Sequence, residues 1–541
     1  MHGLMMDYPL TIPSILEHGR RTFPRREIIS YLPDKSVHRY TYADLYKRSK
    51  KLLYALVQKL GVQKGDMVAT FAWNHYQHME LYFAIPGAGA VCHTVNIRLS
   101  AQQTQFIINN AEDQIVFVDA SLVAMLESIA TTLSTVKQFI VLNAPKEFKT
   151  SLADWIHYEE LIADCPDNLP WIDVDENDAC GMCYTSGTTG QPKGVLYSHR
   201  TTCLHSLVVG LPNYADISSS DRVLVVVPQF HVMAWGLPYA SILAGTVLIL
   251  PSSHLQPDPL LDMIMKERVN KASGVPTIWH GLYNAMMQRG IKDHPIKELM
   301  VGGAAAPPHM IENFQKDFGI KVIHAWGMTE TSPVATMSKL HPEHEALKDA
   351  EKIRLRALQG QTLPFLDIRI VQEDGTVAPC DGKTVGEIHI RGAWIIKSYF
   401  KTLSMENFSA DGWLKTGDVG TINSDGYLQI TDRAKDLIKS GGEWISSVAL
   451  EVTLMAHPKI KEASVIAIPD AKWSERPMAL IVLREESERA SVEELKEFLC
   501  SIFAKYQIPD QFVFVKEIPK TSVGKFDKKK MRQWYAEGAL R

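Results

Sequence analysis

Hydrophobic positions recur along this chain at two spacings. Short β-branched runs such as MVATFAWN from Met67, IVFVD from Ile115 and FIVLN from Phe139 read as strands. Between them, DLYKRSKKLLYALVQKL places Leu45, Leu52, Leu53, Leu56 and Leu60 near helical spacing. The alternation continues through VLVVVP from Val223, TVLILP from Thr246 and ELMVGGA from Glu298, with HMIENFQKDF presenting Ile311, Phe314 and Phe318 on one helix face. Strand alternating with helix predicts an α/β fold, with mostly parallel sheets flanked by helices on both faces.

The texture then changes. Four Asp-Gly pairs, Asp374-Gly375, Asp381-Gly382, Asp411-Gly412 and Asp425-Gly426, separate short β-rich segments and predict a small antiparallel subdomain. Beyond them, ASVIAI, FVFVKEI and the helical SVEELKEFLCSIFAKY over 491–506 describe a smaller α+β unit. We expect an N-terminal domain over 1–431, a hinge linker over 432–437 and a C-terminal domain over 438–541, each large enough for its own core.

Composition narrows the function classes. At 541 residues, 46% hydrophobic and 22% charged, the chain is an ordinary multidomain globular protein. A net charge of −4 gives no basic field for nucleic acid. The opening MHGLMMDYPL lacks a signal peptide's charged start and apolar run, and no stretch reaches the roughly 18 apolar residues that span a bilayer, so a cytoplasmic location is expected. Seven dispersed cysteines do not form a disulfide framework, and Cys180 and Cys183 lack two further ligands at zinc spacing, so a buried inert pair is expected.

The candidate chemistry begins at YTSGTTGQPKGV, residues 184–195. A Walker A loop needs glycine before its lysine and a hydroxyl after it, but Pro192 precedes Lys193 and Gly194 follows. Phosphate contacts would fall instead to the amides and hydroxyls of Thr185, Ser186, Thr188 and Thr189, with Gly187 and Gly190 permitting close backbone approach. By itself the loop reads equally well as a polar surface hairpin between two strands.

Its company decides otherwise. The same chain carries HAWGMTET at 324–331, TGD at 416–418, DRAKDLIKSGGEW at 432–444 and PKTSVGK at 519–525, in that order. This constellation resembles the acyl-adenylate-forming superfamily over nearly the whole chain. VLYSHR, PQFHVMAWGLPY, AWGMTETSP, KSGGEWISS and KWSERP are most similar to bacterial medium- and long-chain fatty-acyl-CoA synthetases, and ligases for 3-methylthiopropionate share much of this wording.

The resemblance implies a two-step reaction. An acid attacks the α-phosphate of ATP, giving acyl-AMP and pyrophosphate, and the thiol of CoA then displaces AMP. It implies that the loop from Thr185 to Lys193 grips phosphates and that Glu330, with the Thr185 hydroxyl, holds Mg²⁺. Lys525 would reach the carboxylate and α-phosphate. Trp326, where the family usually has tyrosine, would stack on adenine, with Gly327, Met328 and Thr329 beside it and Gly302, Gly303 and Ala304 along the adenylate. Asp418 would accept from the ribose hydroxyls, assisted by Arg433.

Phe230, His231 and Trp235 would line the acyl site, His231 near the carboxylate and Trp235 as a gate. Amino acid substrates are disfavoured, because His231 follows Phe230 where peptide-synthetase adenylation domains place an aspartate for the amino group. The smaller domain would be mobile, turning about Lys435 to exchange Lys525 for the face of Lys439, Gly441, Gly442, Glu443 and Trp444, where the pantetheine arm would pass. A homodimer through the large domain is expected on the same ground. Lys528, Lys529 and Lys530 are expected to form a solvated face.

Overall fold

The computed structural model describes residues 1, 3–185, 191–402, 404–441, 443–484, 490–521 and 524–540. Among these, two large sheets form the N-terminal part. The larger has nine strands and runs in parallel from Glu27–Tyr31 through Val247–Leu250, Arg222–Val225, Lys271–Gly274 and Glu298–Val301 to Lys321–Gly327, with antiparallel strands at its edges. The seven-stranded second sheet is parallel except for its last pair, Ala179–Tyr184 with Gly194–Ser198. That pair flanks the glycine-rich loop, as its apolar borders predict.

One core cluster joins the two sheets. It contains inward residues of the larger sheet, Val223, Val225, Met300 and Ala325, and the wholly buried helix Tyr76–Gly87 between the layers. The opposite face of the same sheet packs Leu224, Leu299 and Val322 against helices Pro257–Glu267, Pro276–Gln288 and Pro308–Phe318. Period-two alternation thus divides each strand between two cores. Both faces being covered is what a parallel sheet requires.

The antiparallel subdomain is a four-stranded sheet of Leu366–Val371, Gly386–Gly392, Leu414–Ile422 and Leu428–Arg433. All four glycines of the Asp-Gly pairs have φ between 69° and 85°, the left-handed turn conformation for which glycine carries no Cβ penalty. The C-terminal unit packs helices Ser447–Met455, Val492–Cys500 and Lys528–Ala536 on a sheet built around the long antiparallel pair Ile460–Asp470 and Ser474–Leu483.

Two expectations change. The helix foreseen over 491–506 ends at Cys500: Ser501 and Ile502 beyond it are exposed, and the chain leaves the helix in a turn that still lays Phe503 partly against the small core. Lys528 is not on a solvated face. Its ammonium lies 2.8 Å from Glu451 inside the small domain, and both side chains are buried. Lys529 and Lys530 are exposed as expected. Cys180 and Cys183 are free and buried, held near Thr202 and Thr94.

Candidate active site

The strands of a parallel sheet end together, and the crevice beyond their carboxyl ends is where such folds bind ligands. Strand Glu298–Val301 runs into Gly302 and Gly303, and strand Lys321–Gly327 into Met328, Thr329 and Glu330. Gly327 packs so closely on Pro333 that a Cβ would lie 1.8 Å from its carbonyl oxygen, so only glycine allows the chain to turn here.

On one side of the crevice, Trp326 donates its indole N–H to Asp418 Oδ2 at 2.9 Å. Arg433, which pairs with Asp418 across adjacent strands, brings its Nε to 3.4 Å from Oδ1. The buried carboxylate is thereby fixed through both oxygens, each with lone pairs to spare.

Glu330 is 6% exposed, and burial pushes its carboxyl above the usual range. Tyr399 opposes this by donating its hydroxyl to Oε1 at 2.7 Å, while Glu330's carbonyl accepts from Ile396 N at 3.1 Å. The neighbouring Thr329 carbonyl accepts from Tyr197 at 2.8 Å. Lys193 lies 4.8 Å above the ring of that same Tyr399. At the base of the glycine-rich loop, Thr185 N donates to the Lys193 carbonyl at 2.9 Å, and Thr185 Oγ1 accepts from Lys193 N at 3.3 Å. Thr185, Phe230 and His231 share the wall of one narrow cavity. Ser186, Gly187, Thr188, Thr189, Gly190 and Gly442 lie outside the described residues.

The small domain contributes Lys525. Its Cε lies 3.9 Å from the point a Cβ on Gly303 would occupy, and Gly303 has φ 77°. The lysine loop is closed by Thr521, whose N–H donates to Lys525 O at 2.7 Å and whose hydroxyl accepts from Lys525 N at 3.2 Å. Burial first, and then the Arg433 guanidinium, push the ammonium down to about 8, against the pull of Asp418 and Glu330. His231 is pushed down to about 3 by burial and by the positive charges of Lys525 and Arg98, so it is neutral at pH 7.

Trp235 closes on Gly302. Residues Val232, Met233, Ala234 and Trp235 all have φ between 45° and 56°, a left-handed run that costs L-residues roughly 1–2 kcal/mol each. The turn presses the indole against Gly302, where a Cβ would lie 2.7 Å from Trp235 Cη2. Phe230, by contrast, packs into the second sheet's core edge-on to Trp73.

The described part of the KSGGEW segment is elsewhere. Lys439, Glu443 and Trp444 are exposed on a small hairpin, with Lys439 Nζ stacked 4.1 Å over the Trp444 ring, and Lys435 is exposed in the turn that precedes it. The small domain therefore offers Lys525, and not this face, to the crevice. Sequence reasoning passed over Tyr399, Tyr197 and Arg98. Nothing in their local spacing marks them, since all three act across long stretches of chain.

The chain belongs to the AMP-binding enzyme family: residues 16–400 match the family's model "AMP-binding enzyme", and residues 449–525 match "AMP-binding enzyme C-terminal domain". Within it, the chain is 44% identical to the long-chain-fatty-acid–CoA ligase of Thermus thermophilus, covering 98% of this chain and 96% of that one. It is 43% identical to the medium-chain-fatty-acid–CoA ligase of Ectopseudomonas oleovorans, over 100% and 99%. Identity to the 3-methylmercaptopropionyl-CoA ligase of Ruegeria lacuscaerulensis is 42%, over 99% of both. The solved o-succinylbenzoate coenzyme A synthetase from Bacillus subtilis, in complex with ATP and magnesium ion, superposes with a TM-score of 0.78 at 26% identity, over 96% of this chain and 99% of that one. No helix among the described residues is long and apolar enough to cross a membrane.

Proposed function

We propose that this chain is an AMP-forming fatty acid–CoA ligase acting on medium-chain acids. The observation that carries the reading is the delivery of Lys525 by the small domain to Gly303, on the side of the crevice where Asp418 and Glu330 lie. A cation aimed from a separate domain at the carboxyl ends of the strands suits a reaction in which negative charge builds on a phosphate between two anionic reactants.

In the first half-reaction Trp326 stacks on adenine and Asp418, held by Trp326 and Arg433, accepts from the ribose hydroxyls. Thr185 and Lys193 hold phosphate oxygens at the base of the loop. Lys525 draws the substrate carboxylate and the α-phosphate together and neutralises their repulsion, which positions an attack that in water is disfavoured by like charge. Neutral His231 adds no competing charge beside Lys525.

Glu330 and the Thr185 hydroxyl would hold Mg²⁺. No group of three or more His, Cys, Asp or Glu side chains able to hold a metal lies among the described residues. One carboxylate and one hydroxyl fit an ion that keeps waters and takes its other oxygens from the nucleotide. When bound, the ion would screen the triphosphate charge.

In the second half-reaction the domain over 438–541 turns about Lys435. Lys525 withdraws, and Lys439, Gly441, Gly442, Glu443 and Trp444 take its place along the path of the CoA thiol. The identity to a 3-methylmercaptopropionyl-CoA ligase supports a second reading, a small-acid–CoA ligase for 3-methylthiopropionate. A homodimer and a cytoplasmic location complete the proposal. Incubating the protein with ATP, CoA and octanoate should give AMP, pyrophosphate and octanoyl-CoA in equal amounts. Orthophosphate and ADP in their place would refute the ligase reading.

A further inference from the structure

The inner face of the larger sheet continues below Trp235. Gly302 touches the indole, and Met300 and Glu298, two and four residues back on the same strand, project to the same side. These two line a narrow internal cavity with Val223, Leu237, Ser273 and Ala215. Leu237, two residues after Trp235, is part of the same lining.

The cavity ends on charge. Lys271 lines it as the sheet partner of Glu298, two pairs beyond Ser273–Met300 and therefore the next pair on the same face. Lys271 Nζ donates to Ala215 O at 3.1 Å and to Asp216 O, and lies 3.6 Å from both the Asp216 and Asp221 carboxylates. Lys339 Nζ donates to Pro212 O at 2.6 Å and Tyr214 O at 3.1 Å. Two lysines thus staple the segment 212–216 across the end of the cavity.

We propose that Lys271, Glu298 and this stapled segment form the floor of the acyl channel and set the longest acid the enzyme accepts. The inference rests on the fatty acid–CoA ligase reading and supplies its chain length. From Gly302 to Glu298 is four strand residues, about 13 Å. An extended chain with bonds of about 1.5 Å reaches that depth at roughly ten carbons. Up to there, the unbranched Met300 can repack around methylenes at little cost. A longer chain would push its methyl end against the Glu298 carboxylate and against a Lys271 ammonium already committed to Ala215 O and Asp216 O, crowding charge with no hydrogen bond in return.

The test is kcat/KM for straight-chain acids from butanoate to hexadecanoate, in the unaltered enzyme, Glu298→Ala and Ala215→Leu. The unaltered enzyme should lose about tenfold or more between decanoate and tetradecanoate, since a few poorly accommodated methylenes suffice for that factor. Glu298→Ala should raise kcat/KM for tetradecanoate about tenfold relative to butanoate, and Ala215→Leu should move the fall-off below octanoate. No fall-off in the unaltered enzyme, which needs no variant to fold, overturns the floor. So does an unshifted fall-off in folded variants. Failure of the ligase reading looks different: no acid of any length would yield AMP.

Discussion

The indole of Trp326 and the carboxylate of Asp418 are joined by a 2.9 Å hydrogen bond. A residue expected only to stack on adenine therefore also orients the acid expected to hold the ribose. The tryptophan that departs from the family's usual tyrosine brings a donor that is fixed in the ring plane and points one way.

Trp326→Phe keeps an aromatic face and removes the N–H. A hydrogen bond to a charged group is worth about 1.5–3 kcal/mol, so KM for ATP should rise about tenfold or more, with a smaller change in KM for the acid. Steady-state kinetics with each substrate varied in turn would show it. Equal effects on both would mean that Asp418 does not depend on this bond.

Lys525 carries a pH prediction. In the proposed mechanism adenylation needs its ammonium, and the site pushes that group down to about 8. In the free enzyme kcat/KM for adenylation should fall as pH rises through about 8, because deprotonation removes the neutralising charge. Lys525→Arg, if active, should carry the limb to higher pH, since guanidinium stays protonated. Lys525→Ala should abolish pyrophosphate exchange and leave thioester formation from preformed acyl-AMP largely intact. Single-turnover assays of the two halves separate these outcomes.

Tyr399 is the residue the motifs did not reveal. Its hydroxyl is the largest of the influences that pull the Glu330 carboxyl down against burial, ahead of Arg433. Tyr399→Phe should raise that group further, moving the acid limb of kcat/KM to higher pH and increasing the Mg²⁺ concentration needed for half-maximal rate. A pH profile at two Mg²⁺ concentrations checks this. A uniform loss of activity with neither shift would reduce Tyr399 to packing.

The reach of the sequence follows from where the physics is local. The alternation of strand and helix, the four left-handed Asp-Gly turns and the ordered motifs depend on neighbours a few residues apart, and they were legible. Glu330, Asp418, Arg433 and Lys525 carry motif wording and converge on one crevice. Tyr399 meets Glu330 across 69 residues, and Trp235 meets Gly302 only because four successive residues take a left-handed path. Neither leaves a periodic trace. The run of lysines at 528–530 misled for the same reason, since what buries Lys528 is Glu451 on another helix.

That pair leads to the last prediction. Lys528 Nζ contacts Glu451 at 2.8 Å and also donates to Ser447 Oγ, whose own hydroxyl lies 2.6 Å from Asp432. Asp432 also accepts from Ser447 N at 2.6 Å, so a residue of the expected linker satisfies the first N–H of the helix whose N-cap is Ser446. Glu451 is further held by Ser464 Oγ at 2.9 Å and Val465 N at 2.7 Å. Removing one partner of a buried pair strands the other, at a cost of about 3–5 kcal/mol. Lys528→Met should therefore lower the unfolding midpoint of the small domain by many degrees, whereas Lys529→Met, at an exposed position, should leave it within error. Replacing both members, Lys528→Met with Glu451→Leu, removes the stranded charge and should regain much of the loss, which thermal unfolding of the three variants would measure directly. If the double variant is no more stable than the single, relief of the stranded charge is outweighed by lost packing and by the Ser464 and Val465 donors that lose their acceptor.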